Sequence, residues 1–214
     1  IMKTRTFTGT KIACYTGYVV QGIINNIAPL LFVIFSNKFD ITLEKLSLLI
    51  TINFATQLIV DTVSIKFVDL IGYKPLAVVS QGIAFLGLSC LGILPNIMKN
   101  SYIGIVISII LSAIGSGITE VIISPIIESI PGEKKTSEMS LLHSFYCWGV
   151  IAVTLLSTLF FTTVGREQWP LLACLWAIIP AANALIFSIA PMASLVENAE
   201  HRMKVKDLLE NKVF

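Results

Sequence analysis

The sequence predicts an all-α membrane protein of six transmembrane helices, arranged as two inverted three-helix repeats. Three observations point to it. Of 214 residues, 55% are hydrophobic and only 13% charged, where a soluble domain carries about 25% charged residues; the mean hydropathy of +0.85 agrees. The charges cluster, leaving six long apolar runs, each near the ~20 residues that cross a bilayer core. Sequence landmarks recur at a nearly constant offset between the two halves of the chain.

The six runs are about Ile12–Ser36, Leu46–Val68, Pro75–Pro95, Tyr102–Ile127, Ser140–Val164 and Trp169–Ala190. A helix satisfies its own backbone hydrogen bonds where water is absent, so each run is expected to span as one. The connectors, SNKFDITLEK, DLIGYK, NIMKNS, ESIPGEKKTSE and GREQ, are short and rich in turn-forming and charged residues, so sequential helices should be antiparallel neighbours. The bundle is expected over residues 1–191, with repeats at about 12–95 and 102–191. Residues 192–214, charged of both signs, read as a cytoplasmic tail or a linker to further sequence.

Lys3, Arg5, Lys11, Lys66, Lys74, Lys134, Lys135, Arg202, Lys204, Lys206 and Lys212 fall on one side of this arrangement. Lys38, Lys45, Lys99 and Arg166 fall on the other. The positive-inside bias places both termini in the cytoplasm of a multi-pass protein of the cell membrane. The N-terminal stretch lacks a cleavable signal pattern, and because the chain opens on Ile1 it is expected to start inside a longer one. A formal net charge of +2 without a long basic run gives no reason to expect nucleic acid as a partner. Cys14, Cys90, Cys147 and Cys174 lie in or beside apolar runs at no metal-like spacing, and read as small packing residues. No cofactor or metal motif is present.

The repeat rests on four matches in order. Gly22 and Gly117 stand 95 residues apart. Ser47-Leu48-Leu49 and Ser140-Leu141-Leu142 stand 93 apart. Pro75 and Pro95 match Pro170 and Pro191 at 95 and 96. Three helices is an odd number, so the second repeat must be inverted in the membrane, the construction of many secondary transporters.

Glu120 is the first candidate for function. It lies well inside the fourth run, and a carboxylate in hydrocarbon costs several kcal/mol, so it should face a wet cavity or the bundle interior. There it would serve as a proton or substrate site, or hold a neighbouring helix. Asn25 and Asn26 lie mid-way along the first run, with Gln21 one turn earlier; buried amides need partners, either a solute or another helix. Pro29 and Pro125 follow these polar residues, where a kink would suit a cavity-lining helix. His143, Tyr146 and Trp148 gather at the start of the fifth run; His143 suits a proton relay, and the aromatic rings suit either a sugar or an interfacial belt. Asn53 and Gln57 are lesser candidates. Asp61, eight residues before Asp69 and about 12 Å deeper, is expected near the cytoplasmic mouth.

The connector after the second run contains Asp69-x-x-Gly72-x-Lys74, which resembles the signature loop of the major facilitator superfamily. The resemblance implies a cytoplasmic gate formed by Asp69, Gly72 and Lys74, and a twelve-helix fold of which this chain is the N-terminal half. The other half would be missing sequence of the same chain or a second copy. Gly117-Ile118-Thr119-Glu120, Ser124-Pro125 and Leu142-His143-Ser144-Phe145-Tyr146, then Gly149, are similar to the fucose permease-like sugar–proton symporters. That resemblance implies proton coupling and sugar recognition at Glu120, with His143 and Tyr146 facing the sugar. Family members typically have an acidic residue in the first helix, where this chain has Asn26.

The resulting expectation is a secondary active transporter that moves a small polar, sugar-like solute by alternating access with proton coupling. An exporter of other small molecules, or a non-transporting receptor or scaffold on the same fold, are the alternatives. An enzyme is not expected: there is no Gly-x-Ser-x-Gly or His-Glu-x-x-His, and His143 and His201 are the only histidines.

Overall fold

A computed structural model describes residues 7–192. Within that range there are six long helices: α1 (Thr8–Phe39), α2 (Leu43–Ile71), α3 (Tyr73–Ile97), α4 (Ser101–Ser129), α5 (Lys135–Thr163) and α6 (Trp169–Ile189). All six are long and apolar enough to cross a membrane. The expected tail lies, from residue 193 onward, outside the described residues, as do Lys3 and Arg5.

The helices outrun the apolar segments that announced them. α1 begins four residues before Ile12 and ends three after Ser36, because a helix continues into polar headgroups wherever nothing stops it. What stops each one is local. Asp40 takes the left-handed conformation (φ 51°) after α1. Gly72 (φ 87°) is the single residue between α2 and α3, a conformation that costs glycine little. The Asn100 side chain accepts from the Tyr102 and Ile103 amides at 3.1 and 3.4 Å, capping α4. Gly165 (φ 103°) precedes a short 3-10 turn, Arg166–Gln168, that leads into α6.

The packing has the symmetry that an inverted repeat requires. α1 packs on α5 as α4 packs on α2; α1 meets α6 and α4 meets α3, the α3–α4 contact being much the more extensive. α1 also meets α4, and α3 meets α6. The glycines paired by sequence offset sit at equivalent crossings. A Cβ on Gly22 would lie 2.7 Å from the Tyr146 carbonyl oxygen of α5, and one on Gly117 3.1 Å from the Val60 side chain of α2. Gly87 and Gly115 bring α3 and α4 equally close, at Ser112 and at Ser80–Ala84. Lipid gives helices no hydrophobic reason to associate, so close approach at small residues carries the packing.

Two apolar cores fill the bundle, one at each level of the membrane. One holds Ile23 to Phe35 of α1 with Leu88, Leu91, Ile105, Trp169 and Trp176. The other holds Ala13 to Tyr18 with Ala77, Ile118 to Ile130, Leu142 and Phe187. Between them the same helices carry Gln21, Asn53, Gln57, Ser80, Gln81, Ser112, Ser116, Thr119 and Asn183, all buried. Thr10, Ser64, Ser108 and Ser157 are buried as well, so the polar interior extends along the bundle rather than forming one layer. α2 and α5 are the least enclosed helices, and Phe54, Leu58, Ile59, Trp148, Leu155 and Leu159 leave them exposed and apolar.

Candidate functional site

A cleft of about 570 Å³ opens between α1, α2, α4 and α5, within the ~300–1,000 Å³ typical of small-molecule sites. α1 supplies Tyr18, Gln21 and Asn25, which follow one another at intervals of three and four residues and so share one face. α2 supplies Phe54, Gln57, Leu58 and Asp61 by the same spacing. α4 supplies Glu120, and α5 supplies His143, Tyr146 and Cys147.

Hydrogen bonds hold the wall together across helices. Gln21 Nε2 donates to Glu120 Oε2 at 2.7 Å, joining α1 to α4. Asn25 Oδ1 accepts from Asn53 Nδ2 at 3.0 Å and from Gln57 Nε2 at 2.7 Å, joining α1 to α2. Asn25 Nδ2 reaches the Tyr146 hydroxyl of α5 at 3.5 Å. The Tyr18 ring meets the His143 ring edge-on, with centroids 5.3 Å apart, and its hydroxyl lies 3.3 Å from Ser124 Oγ. Behind Glu120, on the far face of α4, Thr119 joins Ser80 and Gln81 of α3 at 3.1 and 3.0 Å. This buried polar knot fixes the rotation of α4 and so aims Glu120 at the cleft.

Glu120, Asn25, His143 and Tyr146 therefore come together on one cleft. Asn26 stands apart: its amide donates to the Gly22 carbonyl of its own helix at 2.8 Å, on the α1 face that packs against α5. Trp148 is 62% exposed and is not part of the cleft wall. Of the gate motif, Gly72 makes the α2–α3 turn and Lys74 Nζ donates to the Ala190 carbonyl at the end of α6, 3.0 Å away. The Asp69 side chain lies outside the described part of the structure.

Asp61 lines the cleft with Glu120, ten residues inside the end of α2 at Ile71. Gln57, a lesser candidate from the sequence, and Gln21, noted one turn before Asn25, are wall residues, as is Tyr18, which the sequence reading did not single out. Their spacing to Asn25 and Asp61 on the same helix faces was the available signal.

Six spans enclosing a polar cleft at mid-depth define a unit of a membrane carrier. The chain belongs to the major facilitator superfamily, whose family model matches residues 14–213. Among curated proteins, none matches the chain. Membership makes this a multi-pass membrane protein of a transporter family, with the six-helix half-fold that the packing displays.

Proposed function

We propose that the chain forms the N-terminal half of a secondary active transporter that moves a small polar, sugar-like solute by alternating access, coupled to protons. The observation that carries this reading is the Glu120 carboxylate, set at mid-depth on an open cleft and bound to Gln21 at 2.7 Å. An ionisable group in a membrane span is costly unless it works or is paired; here one amide holds it in place and leaves it facing the cleft. Asn25, His143 and Tyr146 add donors and acceptors around the same space, as a hydroxyl-rich solute needs. The open side of the cleft, flanked by α2 and α5, would face a second six-helix unit, either further sequence of this chain or another copy. Both termini would be cytoplasmic, with the Asp69-Gly72-Lys74 turn acting as the gate on that side.

The mechanism follows from the geometry. A proton on Glu120 neutralises the group that is hardest to carry through the bilayer. Solute binding against Asn25 and Tyr146 competes with the bonds that tie α1 to α2 and α5, so occupancy and helix position are linked. The test is uptake of labelled hexoses and polyols into proteoliposomes holding the full-length protein, with and without an inward proton gradient. Glu120→Gln should abolish gradient-driven accumulation while leaving exchange of solute across the membrane. Undiminished accumulation by that variant would refute the role.

A further inference from the structure

We propose that Asp61 is the second charged group of this cleft and selects solutes bearing a protonated amine: Asp61 takes the ammonium group while Glu120 takes the coupling proton. The inference rests on the transport reading above and narrows its substrate to aminated polyols and amino sugars.

The two carboxylates are matched in depth. Asp61 stands ten residues before the end of α2 and Glu120 nine before the end of α4, on the same side of the membrane, so each is about 14–15 Å in. Asp61 is also seated by its surroundings. Its Oδ1 lies 2.9 Å from where a Cβ on Gly117 would stand, so the carboxylate rests against that glycine, one turn of α4 from Glu120. That oxygen is shielded from solvent and meets no donor among the described residues. The other oxygen is not shielded and has no partner among them either, so on the cleft wall it is the one left to receive a donor from a ligand.

The wall supplies acceptors and withholds cations. Among the described residues neither lysine nor arginine lines the cleft; the other titratable groups facing it are His143, Tyr18, Tyr146 and Cys147. Gln21 donates to Glu120, and Asn53 and Gln57 donate to Asn25, so none of these amide bonds goes to Asp61. An ammonium group, which carries only donors and a positive charge, would answer that carboxylate. Charge is consistent with this: a solute ammonium beside Asp61 would pair a carboxylate that is costly to leave ionised and alone within a span.

The experiment uses matched pairs that differ by an amine: glucosamine against glucose, and N-methylglucamine against sorbitol. Thermal stabilisation of the purified full-length protein and counterflow in proteoliposomes are measured for each. For at least one pair, the amine should act at about tenfold lower concentration than its neutral partner, and Asp61→Asn should bring the two together. Asp61→Ser, which keeps a small polar side chain, serves as the second variant if Asp61→Asn does not fold. Equal or better action by the neutral members, no action by any amine, or a preference that survives both substitutions overturns the proposal. Neutral-sugar uptake that needs Glu120 but not Asp61 would overturn it while leaving the proposed function standing. Uptake independent of Glu120 would remove the function itself.

Discussion

Gly22→Ala isolates what holds the cleft's two sides together. A Cβ at this position would lie 2.7 Å from the Tyr146 carbonyl oxygen, 3.0 Å from the Val150 amide nitrogen and 3.2 Å from the Gly149 carbonyl carbon. All three are backbone atoms of α5, so no side chain can swing aside. Ordinary contact begins at 3.4 Å, which requires α1 and α5 to part by about 0.7 Å at the crossing. Overpacking of this kind costs about 1–3 kcal/mol. For a chain of this size each kcal/mol lowers the melting temperature by about 2–4 °C. The same displacement carries His143 and Tyr146 away from α1 and breaks the Asn25–Tyr146 contact, already long at 3.5 Å. Melting of the purified protein and uptake by proteoliposomes should therefore both fall. The control is Gly82→Ala in α3, where an added Cβ meets nothing within 4 Å and alanine favours the helix by about 1 kcal/mol. A Gly22→Ala protein that melts with the wild type, or a Gly82→Ala protein that melts as low as Gly22→Ala, would refute this account of the packing.

Two further outcomes follow from the ends of the helices. Asn100→Ala removes the only side chain that caps α4, leaving the Tyr102 and Ile103 amides without it, and should cost about 1 kcal/mol, read as a lower melting temperature with uptake retained. Lys11 pairs with Glu138 across α1 and α5, their side chains 32% and 27% exposed, and Tyr15 donates to the same carboxylate at 3.0 Å. A double-mutant cycle with Lys11→Met and Glu138→Gln should give a coupling of about 0–1 kcal/mol, shrinking as salt is raised.

The fold was legible because bilayer physics leaves few choices. Six apolar runs with short connectors admit little besides six antiparallel helices, and the Gly22–Gly117 offset pointed to crossings that do prove equivalent. The helix ends were less legible: Thr8, Phe39 and Ile71 lie beyond the apolar runs, where composition changes but the backbone pattern does not. In the site, Glu120 stood out because a lone carboxylate in a span has few innocent explanations. Asn25 and Asn26 could not be separated, since adjacent residues point about 100° apart and only the neighbours decide which faces the cleft. Counting inward from Asp69 gave the depth of Asp61 closely enough, but not that its side chain shares a cleft with Glu120 on another helix. The buried knot of Ser80, Gln81 and Thr119 left no sequence signal, because each of its members is an ordinary residue of a membrane helix until the three meet.

One small feature governs how the bundle can move. With Gly72 alone joining α2 to α3, no slack exists to absorb a tilt. Lys74, two residues on, fastens the start of α3 to the final carbonyls of α6. A swing of α2, the helix bearing Asp61 and Gln57, is thus handed directly to the outer helices as a rotation rather than lost in a loose strap. Two flexible residues inserted at this turn should loosen the link between α2 and α3 while leaving the packing of α2 on α4 in place.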